Sequence, residues 1–169
     1  KRKVIGAIQF DNVHLTYEDT QIEALQGVSF EIAQGSTVAI MGNTGAGKST
    51  VLDLIGRLYD TSQGVLSIDG VPVTEFALED LRGAVGYVPQ NPFLFSDTIA
   101  NNIRFGNEHA TDQEIIEASK ISGVHDNIIE FNDQYETLLG ERGVTLSGGQ
   151  KQRISIARAL LKEPKILLL

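Results

Sequence analysis

Short runs in which apolar and polar residues alternate dominate the first third of the chain: Ala7 to Phe10, Val13 to Tyr17 and Val28 to Ile32. Alternation with a period of two puts the apolar side chains on one face of a strand, so these runs predict a small antiparallel sheet. A different pattern follows. Thr37 to Met41 is almost continuously apolar, as a strand buried on both faces requires, and it leads into the glycine-rich stretch Gly42 to Gly47 and a helical pattern from Lys48 to Leu58. Val65 to Ile68 and Val71 to Val73 flank Asp69-Gly70, a pair that accommodates positive φ, and predict a hairpin. Ala84 to Val88 predicts one more short strand.

From about Asn91 to Leu146 the pattern becomes polar-rich helices and loops, which reads as a helical subdomain. Thr111 and Glu114 have the spacing of a capping box and open a helix to about Ser119. A further helix begins at Ser147, with Ile154, Ala157 and Leu161 on one face and Lys151, Arg158 and Lys162 elsewhere. Pro164 stops it, and Ile166 to Leu169 reads as a buried parallel strand. That strand stops in mid-core and the chain opens on Lys1-Arg2-Lys3 without Met. Both ends therefore read as cut, and the sequence as a piece of something longer.

At 169 residues with 41% hydrophobic and 21% charged, the composition is that of one globular domain and opposes disorder. A net charge of −8 leaves no broad basic surface for a phosphate backbone, so nucleic acid is not an expected partner. Without cysteine, disulfides and thiolate metal sites are excluded. No run of roughly 18 to 20 apolar residues is present that could span a bilayer.

Local chemistry is more specific. Gly42-Asn43-Thr44-Gly45-Ala46-Gly47-Lys48-Ser49, followed by Thr50, fits the phosphate-binding loop. Glycines there let backbone N–H groups approach phosphates, Lys48 reaches the β and γ oxygens, and Ser49 holds Mg²⁺. A strand pattern before it and an apolar helix after it are the context the motif requires, so the site is expected to take a nucleoside triphosphate. The net negative charge is no obstacle, because oriented amides, one lysine and a metal act locally.

Leu146-Ser147-Gly148-Gly149-Gln150 carries a second signal. Ser147 and Gln150 are explained as a capping box. Gly148 and Gly149 are not, since glycine in a helix costs up to about 1 kcal/mol. A bare helix N-terminus with a hydroxyl is an anion site, so two phosphate-binding elements lie about a hundred residues apart. Here the sequence resembles the ATP-binding cassette family, whose signature segment reads LSGGQ. The resemblance covers nearly the whole chain. It implies an α/β P-loop NTPase of the ABC ATPase type: a mostly parallel core sheet, an antiparallel β subdomain and a helical subdomain, with its C-terminal part missing. The implied division is 1–90 for the β subdomain and P-loop core, 91–146 for the helical subdomain, and 147–169 for the signature helix and the start of the Walker B strand.

The resemblance also assigns roles. Tyr17 sits where the family places an aromatic that stacks on adenine, although a half-buried strand tyrosine would look the same. Gln90, in Tyr87-Val88-Pro89-Gln90, looks like the glutamine that joins the Mg²⁺ or water shell and links the site to the membrane partner. Leu146 to Gln150 would meet the ATP of a second nucleotide-binding domain in a head-to-tail dimer. Gly140-Glu141-Arg142-Gly143 is similar to a segment of exporter-type cassettes that faces the transmembrane domains, and Lys1 to Lys3 could end a juxtamembrane linker. Phe93-Leu94-Phe95 is either core or a contact surface, and His14, His109 and His125 read as surface or packing residues.

The expected function is thus that of an exporter ATPase using ATP and Mg²⁺ at the cytoplasmic face of a membrane, with Lys48 and Gln90 as its catalytic residues. The family's Asp, its water-activating Glu and its switch His come after the strand that ends at Leu169, so these 169 residues by themselves are expected to hydrolyse little. Two other readings remain open at this point: a soluble cassette ATPase outside transport, and a nucleotide-binding regulatory module. The transported substrate is not written in these residues.

Overall fold

Alternation in the N-terminal third builds one antiparallel sheet, in the order β2-β1-β3-β4, from β1 (Ile8–Thr16), β2 (Glu23–Ile32), β3 (Gln63–Ile68) and β4 (Val71–Pro72). The computed structural model describes residues 3–140 and 145–169. It forms two compact units, the first ending at Val85 and the second running from Gly86 to Leu169. Lys1 and Arg2, and Glu141, Arg142 and Gly143 of the exporter-type segment, lie outside the described residues.

The two strands expected at Ala7 to Phe10 and Val13 to Tyr17 are one strand with a bulge. Its pairing with both neighbours shifts after Phe10 and Asp11, and Asn12 has φ 47°. An extra residue moves later side chains to the opposite face. That shift keeps Val13 and Leu15 buried beside Ile8 and Phe10, despite the change from even to odd positions. Phe10 stacks on Phe30 of β2, with ring centroids 4.5 Å apart. The β3–β4 hairpin turns through Asp69 (φ 53°) and Gly70 (φ 74°), as the sequence predicts. The Asp69 carboxylate accepts backbone N–H bonds from Ile5, Gly6 and Ala7, which ties the chain's start to this turn.

Helix α1 (Lys48–Ile55) buries Val51, Leu54 and Ile55 and ends at Ile55, three residues short of the expected Leu58, with Gly56 as its C-cap. Arg57 turns into the left-handed region at φ 48° and ends the helix, and Arg82, from α2 (Leu78–Ala84), satisfies what the stop leaves open. Its guanidinium donates to the carbonyls of Gly56 and Arg57, groups that the end of a helix leaves unpaired. Thr37 to Met41 is a clear departure from expectation, because it forms no strand. Val38, Ile40 and Met41 are 51%, 38% and 90% exposed. A buried strand needs neighbours to take up its N–H and C=O groups, and among the described residues both sheets pair only with their own members.

In the second unit the expected strand near Ala84 to Val88 is β5 (Val85–Tyr87), which starts at the unit's edge and pairs with β6 (Ile166–Leu168). Between them lie α3 (Ile99–Arg104), α4 (Asp112–Ile121), α5 (His125–Ile129) and α6 (Gly148–Leu160). Ile99, Ile103, Ile115, Ile128, Leu146 and Ile154 meet in one core. The face read for α6 is the face it buries, with Ile154, Ala157 and Leu161 all in that core. Among the described residues no helix is long and apolar enough to cross a membrane.

Candidate functional site

Two left-handed glycines shape the loop before α1. Gly45 has φ 84° and Gly47, at the helix N-cap, has φ 78°. A Cβ at Gly47 would lie 2.6 Å from the Ala24 carbonyl oxygen, so both conformation and space demand glycine there. The turn is closed by Ala46 N–H donating to the Asn43 carbonyl at 3.2 Å. Lys48 opens the helix and folds back over the loop, its ammonium donating to the carbonyls of Gly42 at 3.0 Å and Asn43 at 2.8 Å. No side chain caps the helix, so no side-chain oxygen competes for its first N–H groups. These features fit a phosphate group. Ser49 is exposed beside them, and no cluster of three or more acidic or histidine side chains capable of holding a metal occurs among the described residues. One hydroxyl beside phosphate oxygens suits Mg²⁺, which keeps waters and few protein ligands and arrives with a nucleotide.

Tyr17, just past β1, joins this site within the first unit. Its hydroxyl and the hydroxyl of buried Thr50 on α1 are hydrogen-bonded at 2.9 Å. The ring meets Tyr59 edge-to-face, with centroids 5.1 Å apart and planes at 82°. Sequence reasoning singled out Tyr17 and Thr50 but missed Tyr59, which lies outside every motif and gives no periodic signal.

In the second unit Ser147 and Gln150 form the expected capping box. Gln150 N–H donates to Ser147 Oγ at 3.2 Å, and Ser147 N–H donates to Gln150 Oε1 at 2.9 Å. Leu146 is buried in the core and anchors the segment. Among the described residues a Cβ at Gly148 would meet nothing, and one at Gly149 would make only an ordinary contact with Arg153 at 3.6 Å. Packing among the described residues therefore gives no reason for glycine at either position. Gln90 is exposed in a bend beyond β5; it belongs to the second unit and Ser49 to the first.

Three aromatic rings also gather in the second unit. Phe95 lies 5.1 Å from Phe93 and 4.8 Å from Phe105, and Phe93 and Phe105 are about two-thirds exposed. The Arg158 guanidinium sits 5.7 Å and 5.6 Å from the Phe95 and Phe105 rings and donates to the carbonyls of Phe93 and Asn102. Burial pulls its pKa below the ordinary arginine value. A cavity of about 310 Å³ lies nearby, lined by Phe93, Leu94, Leu139, Leu146 and Lys151 among others. The histidines lie apart from all of this. His109 is exposed, His14 is 3.5 Å from the Glu23 carboxylate, and His125 is hydrogen-bonded to Tyr135 at 2.9 Å.

A helix-capping phosphate loop followed by a capped LSGGQ segment defines the cassette class of P-loop ATPases, and comparison with known proteins agrees. The family model described as ABC transporter matches residues 25–169. The chain belongs to the ABC transporter family. It is 52% identical over 164 residues to mouse ATP-binding cassette sub-family B member 6, covering 97% of this chain and 19% of that protein. It is 48% identical to the Arabidopsis thaliana ABC transporter B family member 24, mitochondrial, covering 96% of this chain and 24% of that one. A bacterial Atm1-family ABC exporter, solved with ATP bound, superposes with a TM-score of 0.89 at 46% identity, covering 96% of this chain and 28% of the other. The expected ABC ATPase fold and exporter-type resemblance are thereby met, and the chain spans only about a fifth to a quarter of the length of these relatives.

Proposed function

We propose that this chain binds MgATP and, in the intact protein, hydrolyses it to drive export across a membrane. The observation that carries the reading is the Lys48 ammonium folded onto the Gly42 and Asn43 carbonyls above two left-handed glycines. A cation held by neutral carbonyls gains more from anionic oxygens at the same place. Lys48 therefore exchanges those partners for phosphate, while the first N–H groups of α1 hold the same anion. Mg²⁺ arriving with the nucleotide would supply charge neutralisation at the phosphates. Ser49 and Gln90 are the residues proposed to hold it, and Tyr17 the one to stack on the base.

The glycines at 148 and 149 support a second contact. With no packing reason among the described residues, they leave the start of α6 open to the phosphate of a second nucleotide-binding domain, in the head-to-tail arrangement the family implies. The exposed Phe93 and Phe105 suit the transmembrane domains of the same transporter as partners, and the proposed location is the cytoplasmic face of the membrane. The 1–90, 91–146 and 147–169 division belongs to the same proposal. Hydrolysis would also need the family's water-activating Glu, so these 169 residues alone bind nucleotide with little turnover.

Phosphate release by the intact protein, compared with its Lys48→Ala variant, tests the reading. Turnover is expected to fall at least about a hundredfold, the scale of one lost electrostatic group in a phosphoryl-transfer site. Turnover that survives the substitution, or intact protein that binds ATP without releasing phosphate, would overturn the ATPase claim.

A further inference from the structure

Tyr17 is held from several sides. Its N–H donates to the Ile22 carbonyl at 2.9 Å, its carbonyl accepts from Gln21 N–H at 2.8 Å, and its hydroxyl is bonded to Thr50. These bonds fix the backbone and the far end of the side chain, but rotation of the ring about that axis remains. Tyr59 addresses this last freedom, because an edge-to-face contact has a preferred interplanar angle.

Tyr59 is itself tied to α1. Leu58 N–H donates to the Asp53 carbonyl at 2.8 Å, Arg57 N–H donates to the Leu54 carbonyl at 3.0 Å, and the Arg57 guanidinium holds Asp60 at 2.9 Å. The segment carrying Tyr59 is thus closed onto the helix whose first turn belongs to the phosphate loop. At 47% exposed, Tyr59 is too open to be explained as core.

We propose that Tyr59 is a positioning residue for the nucleotide base. It sets the plane of Tyr17 relative to α1, so that a purine can stack on Tyr17 while its triphosphate reaches Gly42 to Ser49. The proposal rests on reading Tyr17 and the loop as a nucleotide site. A platform already oriented lowers the ordering cost of binding, and only ligands that carry a base benefit. Inorganic tripolyphosphate, which needs the loop but no platform, is the discriminating probe.

Calorimetric titration of the intact protein with Mg²⁺-ATP and with Mg²⁺-tripolyphosphate tests this. For Tyr59→Leu the ATP affinity is expected to fall roughly two- to tenfold, the worth of one aromatic pair, with tripolyphosphate affinity unchanged. Tyr59→Phe keeps the ring and is expected to restore ATP binding. An unchanged ATP affinity in Tyr59→Leu would overturn the proposal. So would a parallel loss of both ligands, which would mark Tyr59 as a structural support of the loop. Lys48→Ala separates the two levels: it should weaken both ligands, and undiminished binding of both would bring down the nucleotide-site reading itself.

Discussion

A methyl group added at Gly47 would land 2.6 Å from the Ala24 carbonyl oxygen and 2.8 Å from Leu25 Cδ2, on a residue whose φ is 78°. Left-handed backbone alone costs a non-glycine residue roughly 1 to 2 kcal/mol, and the clash adds to it. Gly47→Ala is therefore expected to lower stability by about 2 kcal/mol or more, read as a shift of the urea midpoint at unchanged slope. Gly148 is the opposite case. Its added methyl would meet nothing among the described residues, and alanine is the better helix former by up to about 1 kcal/mol. Gly148→Ala should leave the urea midpoint unchanged or raised, while ATP turnover of the intact protein falls because the open backbone is needed for a phosphate. A lowered midpoint would mean that the chain's own packing meets the added methyl, and a stable variant with full turnover would show that no phosphate approaches that glycine. The two glycines are thus expected to answer to different constraints, Gly47 to one internal to the fold and Gly148 to one external to it.

Helices α4 and α6 begin with the same device but respond differently to acid. Glu114 accepts from Thr111 N–H at 2.7 Å and from the Thr111 hydroxyl at 2.8 Å, and these two bonds hold its carboxyl below the ordinary value of 4.5. The folded state therefore binds this proton less readily than the unfolded one. The cap contributes fully above about pH 4.5 and is lost as pH falls through the lowered folded value. Gln150, in the equivalent place on α6, has no such proton. Glu114→Gln is expected to flatten the acid limb of the stability profile, checked by urea midpoints measured across the acid range. A limb that stays equally steep would assign acid sensitivity elsewhere, with Asp97, also held below its ordinary value by Asn101 and Thr98, next in line. Both boxes were legible in the sequence because a cap is decided within four residues. Helix α2 was not, since seven residues without a capping side chain carry little local signal. Nor was the Asn102–Arg158 pair. Asn102 is buried at 1% exposure, accepts from Phe95 N–H and from Arg158, and donates to the Phe95 and Thr98 carbonyls. Its partner lies 56 residues away, and no periodicity marks a contact that only tertiary folding creates.

On the scale of the whole chain, the turn before α1 and the helix that Lys48 opens were legible because left-handed glycines and a helix start are decided within a few residues. Tyr59 was not, because its role depends on where α1 ends. The segment between β2 and the loop shows the converse, a strong sequence signal that these residues do not realise. Thr37 to Met41 reads as a strand from composition, yet a ladder takes two partners, and Val38, Ile40 and Met41 remain exposed. Exposed apolar side chains so close along the chain offer a place for other apolar surfaces to bind. In the 169-residue chain the backbone amides of 37–41 are expected to exchange with solvent nearly as fast as in an unfolded peptide, whereas those of β1, paired on both sides, are protected. An apolar dye should bind the same chain. Replacing Val38 and Ile40 by Thr and Met41 by Gln should reduce that binding without lowering the thermal midpoint, because no core is lost. Protected amides at 37–41 would mean that the run has found a partner strand, and the substitutions would then cost stability, as removing apolar side chains from a buried strand does.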